Sequence, residues 1–254
     1  MPKILILGGT TEARKLAARL AERKGLDITL SLAGRTESPV AQGVPVRSGG
    51  FGGAEGLARY LTDEEIDLVI DATHPYAARI SANAAEASRL SGVAALALRR
   101  PAWEAVEGDR WTMVEHAGEA VAALGSARRK VFLALGRQEI AGFEAAPQHG
   151  YLIRSVDPVE PPLAVPDATY ILARGPFSEE DDRALLVAHG IDAIVAKNSG
   201  GQATYGKIAA ARELGIDVLL FRRPVLPELP SGTSVAEVLA LVDHALAPAE
   251  KRGV

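Results

Sequence analysis

The 254-residue chain has no cysteine. That absence excludes disulfides, a thiolate nucleophile and a cysteine-held iron–sulfur cluster, and it fits a cytoplasmic setting. Its five histidines are scattered, and none forms the i, i+4 pair that ligates a metal on one helix face, so no metal site is expected. Long apolar runs are also missing. The longest cover about ten residues and are broken by Gly, Arg or Asp, so no membrane span is expected. The opening "MPKILILGG" is too short and too soon ended by Gly for a secretory signal. Positive charge is not in excess either: a net charge of −4 argues against general nucleic-acid binding, which needs a basic surface to replace counterions. Of the 28 basic residues 21 are Arg, so each lysine draws notice.

Short β-rich runs alternate with helical stretches almost throughout. Strands are expected at 4–7, 28–32, 44–47, 68–71, 94–98, 111–114, 131–135, 151–155, 169–173, 193–196 and 218–221. Helical spacing marks 12–23, 77–90, 179–189 and 203–214. Such alternation predicts parallel sheets covered by helices on both faces, the doubly wound α/β class. Eleven strands are too many for one ordinary open sheet. Two Rossmann-like domains are therefore expected, residues 1–115 and 116–254 with the boundary anywhere between 100 and 130, facing each other across a cleft. Two stretches carry the same pattern, "DATHPYAARISANAAEASRLSGVAALALRRP" (71–101) and "VAKNSGGQATYGKIAAARELGIDVLLFRRP" (195–224). Each reads as strand, polar loop, helix, Gly, strand and Arg-Arg-Pro, one unit per half.

In open parallel sheets ligands sit at the carboxyl ends of the strands. Those ends carry Gly8-Gly9-Thr10, Ser31 with Arg35, "SGGFGG" (48–53), Thr73-His74, Arg99-Arg100, Gly136-Arg137, Arg154, Arg174, Lys197-Asn198-Ser199-Gly200 and Arg222-Arg223. Turn chemistry explains any one of them, but the whole series points to a cationic, glycine-lined cleft. The first loop, "LGGTTEARKLA", keeps only part of the G-x-G-x-x-G/A fingerprint, with Thr10 at the middle position. It stands where a helix N-terminus can hold a phosphate, and Glu12 in that first turn would repel a phosphate held too close. After the second strand no acid precedes Glu37. Ser31 and Arg35 suit a 2′-phosphate, which favours NADPH over NADH. Pro75 keeps His74 extended at its strand end. Lys197 ends a buried strand, where an unpaired ammonium is costly, so it should face an anion. Tyr205 and Lys207 lie two apart and do not share a helix face, unlike the Tyr-x-x-x-Lys pair of short-chain dehydrogenases.

Together "GGTTEAR", "DATHPYA", "GRQE", "RGPF", "KNSGG…TYGK" and the closing "RRP" resemble the precorrin-6A reductase family of cobalamin biosynthesis, over residues 3 to 245. The resemblance implies reduction of one double bond of the tetrapyrrole precorrin-6A, in ring D, to precorrin-6B by NADPH. It implies two Rossmann-like domains with a strand exchanged between them, and no metal or flavin. It also suggests hand-over to other cobalamin-pathway enzymes. The expected cofactor-binding set is Gly8, Gly9, Thr10, Glu12, Ser31, Arg35, Thr73 and His74. The expected substrate-binding set is Gly136, Arg137, Arg174, Lys197, Asn198, Ser199, Gly200 and Arg222. Lys197, Tyr205 and His74 are candidate proton donors.

Two other readings stay open at this point: a cobalt-precorrin-6A reductase using NADH, and a non-catalytic NADP-sensing Rossmann protein. The 2′-phosphate assignment is testable directly. Arg35→Ala should cost about 10–150-fold in NADPH affinity, with NADH unaffected, the loss expected for one charge-assisted contact. Retention of the wild-type preference would refute it.

Overall fold

The computed structural model describes residues 1–34 and 43–247, and of Arg137 and Gln138 only the backbone. The chain forms two compact units, residues 1–101 with 224–254, and residues 102–223. The break after residue 101 falls within the expected range of 100–130, at its N-terminal end. Residues 102–115 pack with the second unit, and the C-terminal segment returns to the first.

The first unit begins β1 (Lys3–Leu7), α1 (Thr11–Ala21), β2 (Asp27–Leu32), β3 (Val46–Ser48), α2 (Gly53–Asp63), β4 (Leu68–Asp71), α3 (Ala78–Ser91) and β5 (Ala94–Leu98). The second unit comprises β6 (Trp111–Val114), α4 (Ala117–Leu124), β7 (Lys130–Ala134), the short α5 (Arg137–Ile140), β8 (Gly150–Ser155), β9 (Ala168–Leu172), α6 (Glu179–Ala188), β10 (Ala193–Lys197), α7 (Gly206–Leu214) and β11 (Asp217–Phe221). The two-residue β12 (Ser231–Gly232) and α8 (Val235–Ala245) then complete the first unit.

Each unit holds a six-stranded sheet, ordered β12-β5-β4-β1-β2-β3 and β6-β11-β10-β7-β8-β9. All pairings between described strands are parallel. The orders superimpose when β1 is matched to β7, β4 to β10 and β5 to β11. The two Arg-Arg-Pro repeats are thus equivalent, each standing just after the matched strands β5 and β11. Beyond each repeat the chain crosses to the other sheet. The segment after β5 supplies β6 to the second sheet beside β11, while the segment after β11 supplies β12 to the first sheet beside β5. The implied strand exchange is present, and its second partner is too short to carry a periodic signal.

Alternation along buried strands explains why helices cover both faces. In β1, Ile4 and Ile6 join Leu16 and Leu20 of α1 and Val238 of α8 on one face. Leu5 and Leu7 join Leu57 and Leu61 of α2 and Ala84 of α3 on the other. In the second sheet Phe132, Ile194 and Leu220 pack on Leu186 of α6 and Ile208 of α7. No described helix is long and apolar enough to cross a membrane.

Close packing is tightest where α2 begins. A Cβ on Gly56 would lie 1.8 Å from the carbonyl oxygen of Phe51, a backbone atom that cannot swing aside. Gly56→Ala should therefore destabilise the protein by about 1–3 kcal/mol, as overpacking does. A thermal melt checks this, and an unchanged midpoint would show that the turn relaxes freely.

Candidate functional site

In the first unit the strand order reverses between β1 and β4, the switch point where such sheets open a crevice. A small hollow lies there, lined by Thr10, Glu12, Ala72, Thr73, Leu98 and Arg100. The turn after β1 is tight. Gly8 N–H donates to the Ser31 carbonyl at 2.9 Å, and a Cβ on Gly8 would come within 2.6 Å of Leu30 Cδ1. Gly9 takes φ +111°, a conformation that glycine adopts without strain. Thr10 caps α1: its Oγ1 accepts from Ala13 N–H at 3.0 Å and donates to the Ala72 carbonyl at 2.9 Å. That bond ties the turn after β1 to the end of β4. Glu12 is drawn to Arg100, both side chains being partly buried. The guanidinium offsets the carboxylate that would otherwise repel an anion at the helix N-terminus.

Beneath this hollow lies a charge that the sequence pattern does not single out. Asp71, the last residue of β4, is buried. Its carboxylate accepts from Arg99 Nη2 at 2.7 Å and from Thr73 N–H at 3.1 Å and Oγ1 at 2.6 Å. Arg99 and Thr73 thus hold the strand end in shape. The signal is the first letter of "DATHPYA", but an Asp closing a strand reads equally as turn chemistry. His74 accepts from Tyr76 N–H through Nδ1 at 3.3 Å, and its ring lies 5.7 Å from that of Tyr76. Ser31 is buried at the end of β2. Arg35 lies outside the described residues.

In the second unit the richest loop comes after β10. Lys197 does face an anion, Glu139 Oε1 at 2.5 Å, so the protein itself supplies the partner. Gly136 is the residue that admits them, since a Cβ there would lie 2.6 Å from Glu139 Oε2 and 3.6 Å from Lys197 Nζ. Asn198 is buried and clasps one residue: its Oδ1 accepts from Trp103 N–H at 2.8 Å and its Nδ2 donates to the Trp103 carbonyl at 2.9 Å. Trp103 Nε1 in turn donates to the Gly201 carbonyl at 2.9 Å. Ser199 N–H folds back to the Lys197 carbonyl at 2.8 Å, and Gly200 and Gly201 take φ of +67° and +70°. Tyr205 accepts from Arg212 Nη2 at 2.6 Å and packs 5.7 Å from Trp103. Arg174 is exposed, Arg222 forms an exposed pair with Glu115, and Arg137 opens α5 with its side chain outside the described residues. Arg154, one of the rim cations of the sequence, is instead buried against Asp182 and lies 3.7 Å over the Phe177 ring.

Lys207 is the residue that spacing alone sets aside. It is 4% exposed, donates to the Thr204 carbonyl at 2.6 Å and stands 5.0 Å over the Trp103 ring. Burial, helped by the Arg154 charge and opposed by Asp182, pushes its ammonium down to about 7. The unfolded chain, with an ordinary lysine, then binds more protons than the folded one between about pH 7 and the normal lysine value. Stability from this group therefore rises with pH across that window. Relative to Lys207→Met, the wild type should gain up to roughly 1.4 kcal/mol per pH unit above neutrality, about 3–6 °C in midpoint. Parallel melting curves at pH 7 and 9 for the two proteins would refute the buried-amine assignment.

Known proteins share this architecture. Residues 3–243 match the family described as precorrin-6x reductase CbiJ/CobK. A precorrin-6A reductase of Sinorhizobium sp is 61% identical over 98% of this chain and 95% of its own length. One of Rhodobacter capsulatus is 50% identical over the full length of both. A solved structure, CobK precorrin-6A reductase, is 49% identical with TM-score 0.93 over all of both chains.

Proposed function

The chain belongs to the precorrin-6x reductase family, and on that footing we propose that it reduces precorrin-6A to precorrin-6B with NADPH in cobalamin biosynthesis. The single observation that carries this reading is the switch-point crevice of the first unit, where a glycine turn, a capped helix and a Glu12 paired with Arg100 form the rim against which a pyrophosphate would lie. Cytoplasmic location and release of the product to later enzymes of the pathway belong to the same proposal.

When bound, the nicotinamide supplies a hydride to one double bond of the macrocycle. The protein's own task is to hold, orient and protonate. Ahead of the capped Ala13, the N–H groups of Thr11 and Glu12 open α1 and, beside Gly9, suit a pyrophosphate. Thr73 is fixed by Asp71 at the crevice wall, which makes it a rigid neighbour for the cofactor rather than a mobile one. On the second unit, Lys197, Arg174 and Arg222 are the cations we assign to the carboxylates of the substrate. The exposed Arg222–Glu115 pair is worth about 0–1 kcal/mol, so a substrate carboxylate can displace Glu115 at small cost. Gly200 and Ser199 shape the loop, whereas Asn198 acts by tying it to Trp103. A proton must reach the carbon beside the hydride acceptor. Lys197, Tyr205 and His74 are the donors we assign as candidates, since accepting from Arg212 leaves the Tyr205 hydroxyl its own proton to give.

Mixing the protein with precorrin-6A and NADPH should consume the reduced-nicotinamide absorbance and shift the tetrapyrrole spectrum as conjugation shortens. Faster turnover of the cobalt-containing substrate, or of NADH, would overturn the specificity. An unchanged tetrapyrrole spectrum would leave only the sensor reading.

A further inference from the structure

A second polar assembly of the first unit lies at the carboxyl ends of β2 and β3. Parallel pairing sets Arg47 opposite Ser31. Arg47 Nη1 donates to the Gly49 carbonyl at 2.6 Å and reaches Ser31 Oγ at 3.4 Å, while Nη2 donates to the Gly50 carbonyl at 2.8 Å. One face of the guanidinium lies 3.7 Å over the Phe51 ring, and Tyr60 stands 5.1 Å away, edge-on to Phe51. The "SGGFGG" turn builds this seat: Gly52 and Gly53 take φ of +81° and +92°, and Gly56 lets the Phe51 carbonyl approach α2.

The seat fixes the guanidinium without neutralising it. Carbonyls and an aromatic face accept a cation but carry no net charge. Arg99, Arg100, Arg154 and Arg212 each hold a carboxylate. Among the described residues Arg47 holds none. Of the five donors of a guanidinium, Nε and one Nη2 hydrogen remain outside these bonds. A pre-organised, half-buried and uncompensated cation calls for an external anion. Its place selects which one, because β2 adjoins β1, whose turn is assigned to the pyrophosphate. In sheets of this order the adenosine ribose extends over the end of β2.

We propose that Arg47 binds the 2′-phosphate of NADPH and thereby selects it over NADH. Ser31, 5% exposed beneath the guanidinium, acts by steadying Arg47. This rests on the first unit being the dinucleotide-binding unit. No local pattern links the two residues, because Arg47 stands 16 residues beyond Ser31, on the next strand.

Calorimetric titration of the full chain with NADPH and NADH tests the assignment. Arg47→Gln can still reach a loop carbonyl through its amide but has no charge, and Arg47→Met keeps the stem on Phe51. Both should lose about 10–150-fold in NADPH affinity and bind NADH as the wild type does. In wild-type protein, the NMR signal of Arg47 Nε–H should move with adenosine 2′,5′-bisphosphate and not with AMP, whether or not either variant folds. A wild type without NADPH preference would bring down the cofactor reading and this assignment together. If the wild type prefers NADPH and the variants keep that preference, only Arg47 is wrong. Parallel loss of both nucleotides would mark Arg47 as merely structural, and an Nε–H signal that ignores the bisphosphate would also overturn the proposal.

Discussion

Parallel pairing is the constraint on which the rest of this molecule depends. Neighbouring parallel strands cannot be joined by a hairpin, so the chain returns across a face of the sheet, usually through a helix. Every strand then releases its chain at one rim, and the loops there are free to carry chemistry because the ladder below is complete. In the first sheet this rim brings together the turn after β1, the end of β4 and the end of β5, although they come from sequence positions near 10, 72 and 100. In the second sheet it brings Glu139, after β7, to Lys197, at the end of β10.

The arginines divide by what faces them. Arg99, Arg154 and Arg212 are set against internal carboxylates with side-chain exposures of 0% for Asp71 and 1% for Asp182 and Asp109. A buried carboxylate without such a partner would carry a heavy desolvation cost, so these arginines secure strand ends and loops. Arg47 and Arg222 differ: one lies on a neutral seat and the other in a weak exposed pair, so a ligand anion can engage them with little loss. An acidic chain can thus still present positive charge at its strand ends.

The second unit shows how a loop rich in glycine is kept in one shape. Trp103 is bound at three points, by both polar ends of the Asn198 amide and by the Gly201 carbonyl, and it also shields the Lys207 ammonium. Gly200 and Gly201 provide the turn, and Trp103 limits it. Asn198 therefore ties the loop to Trp103, a contact that the run "KNSGG" does not reveal.

Fold class and residue inventory were legible in the chain alone. Apolar runs bounded by glycine, with helical stretches between them, can bury their surface only as covered parallel sheets, and the repeated Arg-Arg-Pro units marked the duplication. The strand ends at Gly8, Thr73 and Lys197 came from that alternation. Which unit takes β6 and β12 emerged from the folded sheets, because a two-residue strand has no period to read and its partner is distant in the chain. The fold also set which charges meet: Glu12 with Arg100 and Arg99 with Asp71, while Arg47 rests on carbonyls and an aromatic face. Ion pairing depends on approach within a few ångströms across sequence gaps such as the 88 residues between Glu12 and Arg100, and no local pattern encodes that approach.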